Sequence, residues 1–267
     1  MMNLSLLFFV AQHTNDTAMR DAAIQHARTT AKTHVRPDAS TTHLVVLEPA
    51  TGKPRSYLTN QGFSHTSCWS RGQAWAIAGF AETYAWTQES EFLDTARRCA
   101  DYFLSRMPPG KDAVAPWDFD APRPGANGTD GEACPPDTSA TIIAAYGMLL
   151  IHRALAAKGE RSHYLAAALR LAGAVCARHM NPEAKFVAGL EAMVETVEHG
   201  PVQSSSGVDV DMGHGETILN GATINNYEFA PRRWADHGLV YADYYFILFG
   251  NELLKMSLGS ILGQLGV

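Results

Sequence analysis

The chain has 267 residues, 46% of them hydrophobic, which is enough apolar material for one globular domain covering residues 1–267. A net charge of -6, with no basic cluster among aromatic residues, argues against a nucleic-acid partner. The longest apolar run, residues 4–11, is too short to span a membrane and lacks the basic flank of a signal peptide, and four scattered cysteines favour a reducing, intracellular compartment.

One pattern occurs three times along the chain, over residues 6–37, 79–108 and 148–182. Each copy contains two segments of helical apolar periodicity around a polar turn, and a proline closes it. The second copy, for example, places Phe92, Ala96, Cys99 and Phe103 on one helix face. The sequence therefore predicts three helical hairpins, followed by a last helix near residues 239–256.

Helix-start residues lie in the turn of each predicted hairpin. Asn15 or Asp16, Ser90 and Ser162 are side chains that accept hydrogen bonds from the free amides of a first turn. The second helix of each hairpin should stop before its proline, since proline cannot continue a helix.

Long connections join the hairpins, over residues 36–69, 109–137 and 182–239. Hairpins about 70 residues apart with long connections on one side fit an α/α toroid better than a four-helix bundle, whose loops are short. The fold class predicted is therefore all-α, an (α/α)6 toroid. Alternating Val, Thr and Tyr residues predict a short β-hairpin in the first connection.

The first predicted helix starts almost at residue 1, without a capping sequence, and three hairpins are fewer than the six of a complete ring. We therefore expect a toroid that is incomplete at its N-terminus.

The segment SRGQAW, residues 70–75, places Arg71 and Trp75 four residues apart, on one helix face. A guanidinium offers a planar fork to a carboxylate, and an indole can stack on a pyranose, so the pair suits an anionic sugar. The structural alternative is an Arg paired with a nearby Asp and a Trp in the core. Upstream, the first connection supplies His43 and Gln61, each of which is weak evidence by itself.

Other polar residues have structural readings that we favour. Asp118 and Asp120 in PWDFDAP could enter one cleft as a carboxylate pair, but we favour the interpretation that both cap turns. Asp137 is predicted to be a helix N-cap. His214 and Glu216 do not have metal-ligand spacing, and no metal or cofactor motif is found in the sequence.

Several segments together resemble glycoside hydrolase family 88, the unsaturated glucuronyl hydrolases, and more distantly family 105, which acts on unsaturated rhamnogalacturonan. They are MMNLSLLFFVA, HARTTAKTHVRPDASTTHLV, QGFSHTSCWSRGQAWAIAGF, PWDFDAP, DTSATIIAA and GLVYADYYF, in order through nearly the whole chain. The resemblance implies a six-hairpin toroid, no cofactor, and removal of a 4,5-unsaturated uronic acid from lyase-generated oligosaccharides by hydration of its vinyl ether.

Residue by residue, the resemblance implies that His43 and Gln61 hydrogen-bond the uronate, that Arg71 binds its carboxylate and that Trp75 stacks on its ring. It also implies that the acid/base aspartate and its partner precede Met1, so that no catalytic residue is expected within the chain. Departures from the family pattern are Ala39 where glycine is usual, Ser5 where proline is usual, and an insertion at residues 124–136.

Two other interpretations remain open at this point. One is a non-catalytic protein of the same fold, either a sugar-binding remnant or a helical scaffold. The other is a different enzyme, an unsaturated rhamnogalacturonyl hydrolase or a sugar epimerase, although the scattered histidines give an epimerase little support.

Overall fold

The computed structural model describes residues 1–110, 113–122, 134–188, 192–196, 200–204, 208–211, 213 and 215–265. The three predicted hairpins and the last helix are confirmed. Within this part of the chain the main helices are α1 Leu4–Thr14, α2 Thr17–His34, α3 Ser70–Thr87, α4 Ser90–Arg106, α5 Thr138–Ala157, α6 Tyr164–His179 and α7 Val240–Lys255, and a 3-10 turn, Gly259–Ile261, leads into the short α8, Leu262–Leu265.

The helices form two layers, as in an α/α toroid. Helices α1, α3, α5 and α7 pack side by side in chain order, and α2, α4 and α6 each pack on the preceding helix of the inner row. This arrangement buries α5 almost completely, because it contacts α3, α4, α6 and α7. The predicted apolar face of α4 is also confirmed, since Phe92, Ala96, Cys99 and Phe103 are all buried in the main hydrophobic cluster.

By length and composition alone, α5 is the one helix within the described ranges that could cross a membrane. In the fold, 72% of its most apolar window is buried against neighbouring helices. Its apolar composition is therefore accounted for by its central position in the core.

The helix-start predictions are confirmed in part. Asp16 caps α2, accepting a hydrogen bond from the Met19 amide at 2.9 Å, an interaction that stabilises a helix by about 1 kcal/mol. Ser90 was predicted wrongly as a cap: it is the first residue inside α4, and Glu89 precedes it without a side-chain cap. Ser162 lies one residue before the α6 N-cap, yet its hydroxyl accepts from the Tyr164 amide at 3.1 Å.

The helix ends follow the prolines as predicted. Helices α2, α4 and α6 stop at His34, Arg106 and His179, two or three residues before the proline that closes each repeat. The residue after each helix is extended, as expected where a proline follows closely.

The predicted β-hairpin of the first connection is confirmed as β1 Leu44–Leu47 paired antiparallel with β2 Pro54–Leu58. The same connection starts with a tight turn in which Ala39 has a φ of 68°, the left-handed region. That conformation costs a residue with a Cβ about 1–2 kcal/mol, which explains why this was a position where glycine was expected.

Two further ribbons in the last connection were not predicted. Strand β3 Lys185–Ala188 pairs with β6 Val208–Asp211, and β4 Ala192–Thr196 pairs with β5 Gly200–Ser204. In the pair formed by β3 and β6, Phe186 and Val210 are exposed, so these two paired positions do not form a buried apolar face. The alternation of Val and Asp over residues 208–211 was the sequence signal that could have predicted strand β6. Most of the predicted insertion falls within residues 123–133, which lie outside the described residues. His214 lies outside them as well.

Apolar side chains remain exposed on the two helices at the ends of the inner row. On α7, Val240, Tyr244, Ile247 and Leu254 are between 53% and 74% exposed and follow one helix face at intervals of three, four and seven residues. On α1, Leu6 and Phe9 are exposed as well. Contiguous apolar surface of this kind is uncommon on soluble monomers.

We therefore expect residues 1–267 to self-associate in solution. Ile247→Lys should weaken the association, because it places a charge in the middle of the α7 stripe. Ala22→Lys adds the same charge at an exposed position of α2 and serves as the matched control. Sedimentation velocity at several concentrations measures the association. A monomeric native chain, or equal effects of the two substitutions, would contradict the role given to this stripe.

Candidate substrate-binding site

A cavity of about 540 Å³ lies between α2, α3 and the first connection. Its volume is within the range of roughly 300–1,000 Å³ that is usual for small-molecule sites. Three of the four predicted sugar-binding residues, His43, Gln61 and Trp75, line it, and Trp69 joins them. None of its described lining residues is an aspartate or glutamate. The cavity thus combines aromatic surface with polar side chains that are either uncharged or histidine.

Two tryptophans form the aromatic wall of this cavity. Trp75 is held from behind by α7, where the Tyr245 ring meets it edge-on with centroids 5.2 Å apart. Trp69 immediately precedes α3, and a Cβ at Gly72 would lie only 2.9 Å from its Cε3, so a residue without a side chain is needed there. The buried Trp69 Nε1 has no hydrogen-bond partner among the described residues, which leaves it a donor that a ligand oxygen could satisfy.

His43 lies against the Trp69 ring, with ring centroids 4.4 Å apart. Its Nδ1 is 3.0 Å from the Thr59 hydroxyl, and the Asn60 amide donates to the same nitrogen at 3.3 Å. Burial lowers the pKa of His43 to about 4, and the positive charge of Arg71 and a protonated His34 act in the same direction. The imidazole is therefore neutral near pH 7.

Gln61 links the first of the long connections to the last one through hydrogen bonds. Its side-chain amide donates to the Ile224 carbonyl at 3.1 Å, and its backbone carbonyl accepts from Trp117 Nε1 at 2.6 Å. The residue is thus held at the cavity wall by partners that are distant in sequence.

Arg71 does not line the cavity. Its side chain is 2% exposed and forms an ion pair with Asp137, with Nη1 2.7 Å from Oδ2. Nη1 also donates to Ser139 and to the Thr223 carbonyl, while Nη2 donates to the Ile224 carbonyl at 2.6 Å. The observed pairing is the structural alternative considered above.

Arg71 and Trp75 nevertheless share a helix face, as predicted. Both pack against Tyr241 of α7: the guanidinium is 5.4 Å from the ring centroid, and the Trp75 ring is 6.4 Å from it. The guanidinium also lies 4.6 Å from the centroid of the Trp69 ring. The cation therefore lies directly behind the aromatic wall, and its predicted contact with a substrate carboxylate stays a prediction.

Asp118 and Asp120 have structural partners. Asp118 is fully buried and accepts hydrogen bonds from the Phe63 amide, the Ser67 hydroxyl and the Asp120 amide at 2.7–2.9 Å. Burial raises the pKa of Asp118, and these hydrogen bonds oppose the rise. Asp120 accepts from the Cys68 amide and from Arg106. Both carboxylates organise turns, and neither lines the cavity.

Comparison with known proteins identifies relatives of this site and fold. No protein-family model matches the chain. The unsaturated chondroitin disaccharide hydrolase of Streptococcus pyogenes is 35% identical over 247 residues, which is 92% of this chain and 52% of that protein. The unsaturated glucuronyl hydrolase of Bacillus sp. strain GL1 is 35% identical over 169 residues, 63% of this chain and 42% of that protein.

Solved structures agree with these sequence relatives. A mutant unsaturated glucuronyl hydrolase from Streptococcus agalactiae, complexed with dGlcA-GalNAc6S, matches with a TM-score of 0.67 and 26% identity over 94% of this chain and 56% of that chain. The Bacillus enzyme matches in fold with a TM-score of 0.69 and 24% identity, over 96% of this chain and 58% of that one. The chain belongs to the unsaturated glucuronyl hydrolase family. It spans about half the length of the curated relatives it matches.

Family membership explains which site residues were found from the sequence and which were missed. His43, Gln61, Arg71 and Trp75 were predicted because the family pattern marks them; the structure brings three of them to the cavity and places Arg71 behind it, and their contacts with a substrate stay predictions. Trp69 was not predicted as a site residue. Its position two residues before Arg71 was the sequence signal that could have identified it. Tyr241 and Thr59 were missed because their contacts link residues far apart in sequence. Among the described residues, no group of three or more potential metal ligands is close enough to hold an ion.

The Arg71–Asp137 pair makes a prediction about stability. Asp137→Asn leaves a buried cation without its anion and should lower the free energy of unfolding by about 3–5 kcal/mol. Arg71→Met should also destabilise strongly. The double variant should lose less stability than the sum of the two single variants, because no buried charge is then left without its partner.

Denaturant unfolding of the four proteins measures this coupling. The exposed pair of Arg28 with Glu89, whose side chains are 47% and 31% exposed, is the control, and Arg28→Met should shift the midpoint far less. Additive effects of the two substitutions at Arg71 and Asp137 would show that the pair is not coupled.

Proposed function

We propose that this chain forms the sugar-binding part of a hydrolase that removes a 4,5-unsaturated uronic acid from the non-reducing end of lyase-generated oligosaccharides. The observation that carries the proposal is the cavity in which Trp69, Trp75, His43 and Gln61 meet. The names of the relatives, chondroitin disaccharide and glucuronyl hydrolases, support a glycosaminoglycan-type uronide over a rhamnogalacturonan-derived one.

The cavity suits a sugar ring in two ways. The tryptophan faces offer an apolar, polarisable surface on which a pyranose can stack. His43 and Gln61 offer polar groups for its hydroxyl and carboxylate oxygens. Recognition of the carboxylate by Arg71 would use Nη2, because Nη1 already has three acceptors in Asp137, Ser139 and Thr223.

Hydration of the vinyl ether needs an acid/base group. A carboxyl group protonates C4, water adds at C5, and the hemiketal opens to expel the remaining sugar. The described lining contains no carboxylate, and a histidine with a pKa of about 4 is a poor acid or base near neutral pH. We therefore do not assign the acid/base group to a described residue of the cavity, and its location before Met1 stays a prediction.

A non-catalytic, sugar-binding function is the second candidate. The same observation favours it: the described cavity has groups that bind a sugar but no carboxylate to hydrolyse one. The two candidates differ in turnover by a chain that contains the acid/base aspartate.

We expect residues 1–267 to bind an unsaturated glycosaminoglycan disaccharide without hydrolysing it. Loss of the near-ultraviolet absorbance of the substrate measures hydrolysis, with the Streptococcus pyogenes enzyme as the active control. Tryptophan fluorescence measures binding, because two tryptophans form the cavity wall. His43→Ala should weaken binding roughly three- to tenfold, the effect of losing one hydrogen bond.

Arg106→Ala removes a polar side chain that contacts Asp120 and does not line the cavity, so it should leave sugar binding unchanged. An N-terminally extended chain that gains turnover would favour the enzyme over the sugar-binding remnant. Turnover by residues 1–267 alone would contradict the expected absence of an acid/base group from this chain and would make Asp118 and Asp120 the candidates. Absence of binding by both forms would refute the proposed function.

A further inference from the structure

His43 is attached to a network formed by the segment that follows β2. Thr59 is nearly fully buried, and its hydroxyl lies 3.0 Å from His43 Nδ1 and accepts the Gly62 amide at 2.9 Å. The Thr59 amide donates to His65 Nδ1 at 3.0 Å. A Cβ at Gly62 would come within 2.9 Å of both the Thr59 hydroxyl and Asp118 Oδ2, so the turn closes only with glycine there.

The hydrogen bonds around His43 Nδ1 determine where the imidazole proton is. A backbone amide can only donate, so the Asn60 amide requires Nδ1 to be an acceptor. The Thr59 hydroxyl accepts from Gly62 and is then free to donate its one proton to Nδ1. Two independent donors therefore converge on the same nitrogen. A neutral imidazole that accepts at Nδ1 carries its proton on Nε2.

We propose that Thr59, with the Asn60 amide, is a positioning residue that holds His43 as the neutral Nε2–H tautomer, so that the histidine presents a hydrogen-bond donor to the cavity. Its ligand partner is then an acceptor oxygen, a carboxylate or a sugar hydroxyl. The inference rests on the proposed function only for the identity of that oxygen. The arrangement also excludes His43 as the base of the reaction, since its one available nitrogen already carries a proton.

The titratable groups that face His43 act in the same direction. The positive charge of Arg71 in α3 lowers the pKa of His43 in addition to the effect of burial, and His34 of α2 does so when it is protonated. A protonated imidazole would also turn Nδ1 into a donor, directed at the Asn60 amide. The neutral form is therefore favoured by geometry and by charge.

His34 provides an internal reference, because its hydrogen bonds place the ring proton on Nδ1 and not on Nε2. The Thr33 hydroxyl donates to the Thr29 carbonyl at 2.8 Å and lies 2.8 Å from His34 Nδ1. Because the hydroxyl has only one proton, His34 Nδ1 must donate to it. Of the three histidines that line the cavity, His26, His34 and His43, the last two should therefore show opposite tautomers.

Ring nitrogen NMR of 15N-histidine-labelled chain at pH 7 tests the proposal, in solution or on sedimented protein under magic-angle spinning. His43→Gln and His34→Gln assign the two rings. We expect Nε2–H for His43 and Nδ1–H for His34. Thr59→Ser keeps the hydroxyl and should keep the His43 tautomer, whereas Thr59→Val removes the donor and should introduce the Nδ1–H form and raise the pKa of His43.

An Nδ1–H or doubly protonated His43 in the native chain overturns the proposal, and this measurement needs no Thr59 variant to fold. A Thr59→Val spectrum identical to the native one, or loss of the tautomer in Thr59→Ser, overturns the role of Thr59. Addition of an unsaturated disaccharide should shift the His43 Nε2–H signal. The expected tautomer without such a shift supports the inference and contradicts the proposed function, so the two can fail separately.

Discussion

The buried pair between Arg71 and Asp137 joins the three parts of the chain that meet at the site. Arg71 lies at the start of α3, Asp137 caps α5, and the carbonyls of Thr223 and Ile224 belong to the last connection. An ion pair removed from water stabilises a fold only when its remaining hydrogen-bonding positions are filled. Here the carbonyls of Thr223 and Ile224, in the last connection, fill most of them. The guanidinium consequently sets the distance between two inner helices and attaches the loop to both.

A second buried carboxylate organises the first connection in a similar way. Asp118 accepts hydrogen bonds from the amide of Phe63 and the hydroxyl of Ser67 and forms a backbone bridge with Trp69. Those residues follow directly after the segment that carries Thr59 and Gln61. The carboxylates that look most reactive in the sequence are thus the ones that shape the loops, because a buried anion can satisfy several backbone donors at once.

The consequence for function is a cavity whose binding groups are held by long-range hydrogen bonds and whose described lining lacks the carboxylate of hydration chemistry. The tryptophans give it an aromatic surface of the kind on which a sugar ring can stack, and His43, in the proposed tautomer, gives it a donor with a fixed direction. Binding and proton transfer are separable tasks, and the role we propose for the described residues is the first.

The sequence by itself determined the elements whose signals are local. Helical periodicity, the Asp16 and Asp137 caps and the closing prolines located the hairpins, and the family resemblance marked His43, Gln61, Arg71 and Trp75. These signals suffice because a helix makes its hydrogen bonds within four residues along the chain. Ser90 was misplaced because capping depends on one residue of register, which short-range pattern does not resolve.

Only the tertiary structure decided what the polar side chains do. The hydrogen-bond partners of the Arg71 side chain lie between 66 and 153 residues away, and Gln61 contacts a carbonyl 163 residues further along the chain. No local pattern encodes such pairs, because they form only when packing of the inner helices brings the connections together. The same packing placed Asp118 under a loop and not in a cleft, and it made Thr59 the partner of His43. Burial then converted these contacts into fixed roles, since a buried donor or acceptor must keep a partner.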